Sequence, residues 1–520
     1  MGGMTDEQGP GSRLCLVTGA TGYIGGRLVP ELLAAGHRVR VLVRDPGKIE
    51  RYPWAEQVET ARGDMADDRS LRAALAGVEV AYYLVHSLGT GRSFETTDRS
   101  HALTFAAAAR AEHVGRIVYL GGLLPRDEDL SPHLRSRAEV GFILLASGVP
   151  TAVLQAAVIL GSGSASFEML RHLTERLPVM VTPKWVNTRI QPIAVRDVLR
   201  YLVGAAQLPP EVNRAFDIGG PDVLTYAEMM HRFALVSGLP RRRLLKTPVL
   251  SPSLSSHWVG VVTPVPNSIA RPLVESLRNT VVCREHDIAQ YVPDPPEGLL
   301  GFDDAVGLAL ARVREMSVPT YWSSASMPGA PSDPLPTDPT WAGGDLYVDE
   351  RERLVRASPE ALWRVLEGIG GKRGWYSFPF AWRVRGLMDR LVGGPGLRRG
   401  RTDPDDVHVG DALDFWRVEA VEEGELLRLR AEMRLPGLAW LELRVRKAGS
   451  GATLFHQRAV FRPQGLSGRL YWWSVWPFHG VIFGEMQRNI AKAAERLERD
   501  HDDPSSVDVR ALDALGDPRR

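Results

Sequence analysis

Short apolar segments alternate with helical segments between Leu14 and about Gly220. The apolar segments are continuous rather than alternating, and the stretches between them have helical spacing. Strands that are apolar on both faces indicate a parallel sheet covered by helices on both sides. Because crossovers between such strands are right-handed, the pattern predicts a doubly wound α/β fold of the Rossmann type. The predicted strands read LCLVT, VRVLV, VEVAYYLV, RIVYLGG and TAVLQAAVILG.

The pattern changes twice further along the chain. Residues from about 221 to 315 are mostly helical, and we interpret them as a substrate-side portion of a first domain that covers residues 12–317. Residues 318–344 are rich in Pro, Ser and Gly, which predicts a linker because such a composition cannot build a core.

The remaining residues predict a second domain over 345–500, followed by a polar tail over 501–520. Its strands alternate apolar and polar residues, as at Leu441, Leu443 and Val445, so one sheet face is expected to be buried and the other wet. A helix from about His479 to Arg499 closes the domain. A long helix on a curved antiparallel sheet is an α+β helix-grip design with room for a cavity.

Composition and charge argue against several classes of protein and against a metal site. A net charge of +1 over 520 residues gives no reason to expect a nucleic-acid partner. Two cysteines, Cys15 and Cys283, are too few for a disulfide framework, and the histidines lack metal-ligand spacing, so no metal site is predicted. The polar start MGGMTDEQGP is not a secretion signal, and no apolar stretch reaches the ~18 residues that span a bilayer. We therefore expect a cytoplasmic protein.

The segment Thr18–Gly26, TGATGYIGG, carries the strongest motif. It follows a predicted strand and opens a predicted helix, which is the setting of the dinucleotide-binding fingerprint. Its three glycines permit a tight turn, the approach of a pyrophosphate and close packing of the helix, whose first N–H groups attract phosphate. The residues predicted to bind the cofactor here are Gly19, Thr21, Gly22, Tyr23, Ile24 and Gly25.

Arg44 follows the second predicted strand directly. An acidic residue at this position would bind the ribose hydroxyls of NAD, whereas arginine accommodates the 2′-phosphate of NADP. Lys48 would add a second positive charge. NADP(H) is therefore preferred, and NAD(H) remains open if Arg44 is only a solvated loop residue and Asp45 binds the ribose.

Two further strand ends are predicted to reach the cofactor. Asp64 and Met65 follow the third strand and would contact the adenine, although this segment also fits the cap of the next helix. Leu84, Val85 and His86 end the fourth strand, and the carboxyl ends of parallel strands line the dinucleotide crevice.

These residues resemble the extended and atypical short-chain dehydrogenase/reductase superfamily, including its NmrA-like members. The resemblance rests on TGATGYIGG, VLVRDP, GDM, RIVYLGGL, QPIAVRDVLRYLV and FDIGGPDVLTYAEMM, and it covers about residues 12–315. It implies an NAD(P)-dependent oxidoreductase. The second domain resembles a domain of unknown function in the polyketide-cyclase/START-like (SRPBCC) class, on the segments ASPEALWRVLEGIGGKRGWY and YWWSVWPFHGVIFGEMQRNI.

Active members of the superfamily use a Ser and a Tyr-x-x-x-Lys, and this chain departs from both. Gly121 and Gly122 occupy the serine region, while His133 stands where the tyrosine would be and Arg137 where the lysine would be. As catalytic candidates, His133 would act as an acid near neutrality and Arg137 would position the nicotinamide ribose. The alternative is that both residues only begin a helix. Ser131 and Ser136 are nearby hydroxyls that could substitute in part.

Three further groups of residues are candidates for the pocket or for a surface. Residues 161–180 fit either a lid with Phe167, Glu168 and Met169 facing the substrate or an ordinary amphipathic helix. Trp185, Asn187, Arg189 and Gln191 lie just before the strand QPIAV, and the polar groups there are a hypothetical lining of the same pocket. The aromatic residues of the second domain fit a cavity for an apolar ligand, a peripheral contact with a membrane interface, or core packing with a homo-oligomer contact. They are Trp375, Tyr376, Trp416, Trp440, Trp472, Trp473 and Trp476.

The sequence therefore supports two functions. One is an oxidoreductase that uses NADPH to reduce a lipophilic carbonyl or enone. The other is a non-catalytic redox sensor or scaffold that binds NADP(H) through the same turn. The missing Ser and Tyr-x-x-x-Lys favour the second function.

Overall fold

The structure is a computed structural model, and it describes most of the chain in two compact units, Met1–Gly344 and Asp345–Arg520. The predicted linker and residues 503–520 of the predicted tail lie outside the described residues. The described residues are 12–50, 52–86, 94–125, 130–182, 184–246, 262–316, 346–371, 373–377, 406–448 and 452–502.

Thirteen strands and nine helices are described in the first unit. The strands are β1 Leu14–Thr18, β2 Arg38–Val43, β3 Glu59–Arg62, β4 Val80–Tyr83, β5 Arg116–Gly122, β6 Thr151–Ala156, β7 Ile159–Leu160, β8 Val179–Thr182, β9 Arg189–Ile190, β10 Ile193–Ala194, β11 Arg214–Ile218, β12 Leu224–Thr225 and β13 Arg243–Lys246. The helices are α1 Tyr23–Ala34, α2 Asp68–Leu75, α3 Phe94–Ala111, α4 Pro132–Leu145, α5 Ala165–Arg176, α6 Val195–Ala205, α7 Tyr226–Val236, α8 Asn267–Ser276 and α9 Phe302–Met316.

Seven of these strands form one parallel sheet in the order β11-β6-β5-β4-β1-β2-β3. The strand order reverses at β1, which places the end of β1 beside the end of β4. Apolar side chains on both faces pack beneath helices, so Val17 and Tyr82 belong to one core and Leu16 and Tyr83 to the other. This arrangement confirms the predicted doubly wound α/β fold.

The second unit holds six strands and two helices among the described residues. All neighbouring strands are antiparallel, in the order β14-β19-β18-β17-β16-β15. The elements are β14 Tyr347–Val355, α10 Pro359–Glu367, β15 Ala412–Leu413, β16 Trp416–Glu422, β17 Leu426–Ala431, β18 Gly437–Ala448, β19 Ala452–Pro463 and α11 Gly465–Asp502. An antiparallel sheet with one long helix agrees with the predicted α+β design.

The closing helix is longer than predicted. Helix α11 begins at Gly465 rather than near His479 and continues for 38 residues to Asp502. Pro477 lies inside it, although proline removes one backbone hydrogen bond from a helix interior. Packing explains why the helix continues, because Trp472, Phe483 and Met486 are buried and α11 contacts β14, β19 and α10.

The prediction of one wet sheet face in this unit is wrong at its centre. Leu441 and Leu443 are buried as expected, but Glu442 between them is also buried, at 1% exposure. Its carboxylate accepts from the guanidinium of Arg428, which is equally buried, with the nitrogen and oxygen 2.9 Å apart. Arg458 binds the other carboxylate oxygen at 3.4 Å. A buried ion pair therefore occupies positions that the alternating pattern of apolar and polar residues predicts to be exposed to solvent.

No helix within the described ranges combines the length and the apolar character that a membrane span requires.

Candidate functional site

A cavity of about 850 Å³ lies in the first unit, at the carboxyl ends of the sheet strands. Its lining comes from the turn after β1, the ends of β2 to β6, the start of α4, and helices α5 and α8. Every residue predicted to bind the cofactor or to act in catalysis borders this cavity. They are Gly19, Thr21, Gly22, Tyr23, Ile24, Gly25, Arg44, Asp64, Met65, Leu84, Val85, His86, His133 and Arg137.

The glycine-rich turn is held in a shape that other residues cannot adopt. Gly19 has a φ of +71°, and a Cβ there would lie 2.9 Å from the carbonyl oxygen of Leu84. A Cβ on Gly25 would overlap the carbonyl oxygen of Gly19 and lie 2.8 Å from its carbonyl carbon. Gly22 is the N-cap of α1 and offers no side-chain cap. Gly22 therefore brings no side chain to the amino end of α1 at the cavity, which leaves room for a phosphate group.

Thr18 fixes this turn against the neighbouring strand. Its hydroxyl donates to the carbonyl of Tyr82 at 2.9 Å and accepts from the N–H of Leu84 at 3.1 Å. The buried hydroxyl thus joins the end of β1 to the end of β4. Leu84 and Val85 are placed beside Gly19 as a result.

The end of β2 presents positive charge to the cavity. Arg44 and Lys48 both line it, and Arg44 is exposed. Asp45 also lines the cavity, but its carboxylate accepts from the N–H of Gly47 at 3.2 Å and caps the following turn. The local turn therefore uses the carboxylate that would favour NAD.

Asp64 and Met65 lie at the end of β3, where they were predicted. The Asp64 carboxylate accepts from the N–H of Ala66 at 2.9 Å, and Met65 is buried. The cap of α2 is a different residue, Asp67, whose carboxylate accepts from Arg69 and Ser70. Asp64 therefore lines the cavity without being the helix cap.

His133 and Arg137 lie one turn apart on α4, and both face the cavity. One terminal nitrogen of Arg137, Nη1, donates to the carbonyl of Leu120 at 3.1 Å, which anchors the guanidinium at the end of β5. Burial, with a further contribution from Arg137, lowers the pKa of His133 to about 3. This lowered pKa does not suit the predicted role of His133 as an acid near neutrality, and the catalytic roles of His133 and Arg137 stay predictions.

The two serines considered as substitutes have structural roles instead. Ser131 caps α4 by accepting from the N–H of Leu134 at 3.2 Å, and its oxygen lies 3.2 Å from that of Ser276. Ser136 is buried and donates to the carboxylate of Asp98 at 3.1 Å. Neither serine lines the cavity.

The predicted lid is an ordinary packed helix, and among its residues Ala165, Ser166 and Met169 line the cavity. Met169 of α5 lines the cavity, whereas Phe167 and Glu168 are fully buried away from it. Glu168 pairs with Arg171 at 3.1 Å and accepts from the N–H of Gly163 at 3.0 Å. The prediction that Phe167 and Glu168 face the substrate is therefore wrong.

The predicted polar lining at the 187–191 segment is also wrong. Asn187 and Arg189 are exposed and do not border the cavity. Gln191 bridges two backbones, because its amide donates to the carbonyl of Gly220 at 2.8 Å and accepts from the N–H of Cys283 at 2.9 Å. It secures the substrate-side segment rather than a ligand.

Several lining residues escaped prediction. Thr97 and His101 of α3 line the cavity, and their spacing of four residues on an Ala-rich helix was the available signal. Tyr226 begins α7 and also borders the cavity. An apolar end is formed by Met169 of α5, which was predicted to face the substrate, and by residues of α8 and of the segment after it, which no motif marked. Its residues are Met169, Ile269, Leu273, Leu277 and Val281.

The aromatic residues of the second unit fall into two sets. Trp375, Trp416, Trp440 and Trp472 are buried, which agrees with core packing. Trp473 and Trp476 on α11 are exposed, together with Leu470, Phe478 and Val481. Between Gly465 and Gly484 the helix carries one Arg and no Asp, Glu or Lys. Half of this helix therefore presents an apolar surface.

Residues 19–152 match a family model described as NAD(P)H-binding. Together with the parallel sheet and the glycine-rich turn, this match identifies the first unit as an NAD(P)H-binding domain of the Rossmann type. Residues 341–486 match a model described as a protein of unknown function (DUF2867). That description confirms a domain of unknown function and leaves the START-like resemblance a prediction.

The curated relatives of the first unit include reductases. The chain is 29% identical to the ceramide reductase of Caulobacter vibrioides over 47% of this chain and 75% of that protein. It is 25% identical to the NAD(P)H azoreductase of Xenophilus azovorans over 44% of this chain and 76% of that protein. Triphenylmethane reductase of Citrobacter sp., solved with NADP(H), aligns at 20% identity and a TM-score of 0.46, over 57% of this chain and 99% of that one. By its curated relatives, the chain is similar to reductases.

Proposed function

We propose that the protein binds NADPH in the cavity of the first unit and uses it to reduce a carbonyl group or conjugated enone of a lipophilic substrate. One observation carries this proposal. The residues of the dinucleotide fingerprint and an apolar end built from α5 and α8 line the same cavity. The reductase relatives of the first unit support the same reaction class.

The residues of the turn and of the strand ends fit the dinucleotide. The backbone at the amino end of α1 would hold the diphosphate, and Gly25 allows the close approach to Gly19 that gives the turn its shape. Arg44 and Lys48 would hold the 2′-phosphate, and Asp64 would bind the adenine amino group. The bound cofactor supplies a hydride.

At the reacting end, Arg137 and His133 would act by charge and hydrogen bonding. The positively charged Arg137 guanidinium would stabilise negative charge that develops on the substrate oxygen. Neutral His133 would donate one N–H bond and would not release a proton. Because neither residue is an acid near neutrality, the proton would come from water.

Replacing Arg44 with serine should separate NADPH from NADH. A hydrogen bond to a charged group is worth about 1.5–3 kcal/mol, so the Kd for NADPH should rise roughly ten- to a hundredfold. The Kd for NADH should change little. Titration of cofactor fluorescence measures both. Arg69→Ser is the matched control, because Arg69 is exposed on α2 and lies outside the cavity. Equal losses for both cofactors would contradict the role given to Arg44.

The pH dependence of turnover should contain no contribution from His133. Its pKa of about 3 keeps it neutral between pH 5.5 and 8, whereas an unperturbed imidazole would titrate near 6.5. His133→Gln retains an N–H donor and should reproduce the wild-type pH profile of kcat/KM. An inflection near pH 6.5 that disappears in His133→Gln would show that the residue titrates during the reaction.

A non-catalytic sensor or scaffold that binds NADP(H) is the second candidate. It is favoured by the neutral state of His133 and by the glycines, Gly121 and Gly122, in the serine region. NADPH oxidation against a panel of long-chain ketones, enones and quinones distinguishes the two functions. Turnover that His133→Ala lowers supports the enzyme. NADPH binding without oxidation of any member of the panel supports the sensor.

For the second unit, the apolar ligand, the homo-oligomer contact and the peripheral contact with a membrane remain predictions, as does a cytoplasmic setting. The exposed apolar residues of α11 are the described surface on which such contacts would be tested.

A further inference from the structure

The amino-terminal half of α11 carries an exposed apolar stripe. Its central residues recur with helical spacing on one side of the helix, and Trp476 and Phe478 flank them. These side chains are between 41% and 67% exposed. A contiguous patch of large apolar side chains on a protein surface marks a contact with another molecule or with a membrane. The residues of this apolar stripe are Leu466, Leu470, Trp473, Trp476, Phe478 and Val481.

The other side of the same half is held on the sheet, so the apolar stripe cannot turn inward. Trp472 is buried and stacks between Tyr347 and Phe461. The Nδ1 atom of His479 lies 3.0 Å from a carboxylate oxygen of Asp349 in β14. These contacts fix the rotation of α11 about its axis and leave the apolar stripe outside.

The charged residues of the carboxyl-terminal half are sorted by sign. Glu495 accepts from the N–H of Arg356 at 3.2 Å, and Glu498 accepts from the hydroxyl of Ser358 at 2.6 Å. Both acidic side chains are therefore used inside the second unit. The exposed charged side chains between Gly465 and Arg499 are all basic, and none of them makes an ion pair with another described residue. They are Arg488, Lys492, Arg496 and Arg499.

The apolar stripe and the basic residues lie on the same side of α11. Arg488 follows Val481 by seven residues and Lys492 follows Arg488 by four, which are close to whole helical turns. The exposed side is thus apolar along its first half and positively charged along its second. A second copy of the chain that paired through this side would bring no exposed carboxylate of this stretch to the basic groups. The headgroups of anionic lipids supply such negative charge.

We infer that α11 binds flat on a membrane surface that contains anionic lipids. The apolar stripe enters the boundary between headgroups and acyl chains, where tryptophan rings are favoured. The basic side chains of the second half contact the headgroups. The inference does not depend on the proposed reduction, because no residue of the cavity takes part in it.

Vesicles of phosphatidylcholine, with and without phosphatidylglycerol, test the inference with the full-length protein. Co-sedimentation measures how much protein is bound at each lipid concentration. The wild type should bind the vesicles that contain phosphatidylglycerol and bind neutral vesicles weakly. Added salt should weaken the binding, because it screens the attraction between basic side chains and headgroups.

Two matched pairs of variants locate the contact. Phe478→Ala should lower vesicle affinity roughly ten- to a hundredfold, as the loss of one buried phenylalanine predicts. Phe142→Ala removes an equally exposed phenylalanine of the first unit and should bind like the wild type. Arg488→Gln should lower affinity about fivefold, whereas Arg69→Gln, which removes an exposed arginine of α2, should not. Because all four side chains are partly or fully exposed, each variant should keep the wild-type melting temperature.

Quenching of tryptophan fluorescence by lipids with brominated acyl chains places the helix directly. Trp473 and Trp476 should be quenched in the bound protein because they are exposed on the apolar stripe. The double variant Trp473→Phe with Trp476→Phe keeps two apolar rings, so it should still bind the vesicles but lose most of the quenching. Unchanged quenching in this variant would place another part of the protein in the membrane and overturn the inference.

The other outcomes are also decisive. Binding to neither kind of vesicle overturns the inference, and so does wild-type affinity of Phe478→Ala. Equal binding to neutral and anionic vesicles overturns the part given to the basic residues. Self-association of the wild type that Phe478→Ala abolishes, without vesicle binding, would assign the apolar stripe to a second copy of the chain. Vesicle binding by protein that oxidises no NADPH supports the inference and contradicts only the reductase.

Discussion

Replacing Gly25 with alanine should abolish NADPH binding. The added Cβ would overlap the carbonyl oxygen of Gly19 and lie 2.8 Å from its carbonyl carbon. Both are backbone atoms of the turn itself, so no side-chain rotation can relieve the clash. The turn must open, and the amino end of α1 would then no longer face the diphosphate. We expect the Kd for NADPH to rise by about a hundredfold or more, since close phosphate contacts are charge-assisted hydrogen bonds.

A second glycine substitution serves as the control. Gly307 lies inside α9, and a Cβ there would meet no atom within 4 Å. Gly307→Ala should therefore bind NADPH like the wild type and gain about 0.5–1 kcal/mol of stability, because alanine suits a helix interior better than glycine. Circular dichroism shows whether each variant is folded. A folded Gly25→Ala protein with wild-type NADPH affinity would remove the turn from the binding site.

The sequence predicts well those parts of the site that depend on the backbone turn and on the order of strands and helices. Gly19, Gly22 and Gly25 are recognisable because their spacing, the preceding strand and the following helix all have to agree. Leu84 and Val85 follow from topology alone, since the carboxyl ends of parallel strands meet at one edge. Arg44 follows from its position directly after β2. Each of these inferences needs only the order of elements along the chain.

The parts that the sequence predicts poorly depend on burial and on partners. Nothing in the segment around His133 shows that its imidazole is desolvated beside Arg137, so its ordinary pKa was the natural expectation. The carboxylate of Glu168 looked available for a substrate, yet it pairs with Arg171 inside the protein. Alternation likewise cannot reveal that Glu442 and Arg428 neutralise each other in the sheet. Charged residues can satisfy one another out of solvent, and hydropathy patterns do not record such pairs.

The sequence did not predict the α8 residues at the apolar end of the cavity, for a different reason. Ile269, Leu273 and Leu277 repeat every four residues, which is the spacing of any helix that packs on a core. Sequence periodicity identifies the apolar face of α8 but not whether protein or ligand covers it. In the structure these three residues border the cavity and also belong to or pack against a hydrophobic core.

Two adjacent tryptophans in α11 should respond very differently to truncation. Trp472 is 5% exposed and stacks between Tyr347 and Phe461, with ring centroids 4.9 and 5.7 Å away. Removing such a buried ring costs about 3–5 kcal/mol, so Trp472→Ala should lower the urea midpoint of the second unit strongly. Trp473 is 67% exposed, and Trp473→Ala should change the free energy of unfolding by less than about 0.5 kcal/mol.

The same pair of variants also tests whether the two units are energetically separate. Every described residue around the cavity belongs to the first unit, and the chain divides after Gly344. Trp472→Ala should therefore keep the wild-type Kd for NADPH even where urea has begun to unfold the second unit. Far-ultraviolet circular dichroism follows the unfolding, and NADPH fluorescence reports the cavity. Loss of NADPH binding in step with unfolding of the second unit would mean that the antiparallel sheet and α11 support the dinucleotide site, so the energetic separation inferred from the division of the chain would be wrong.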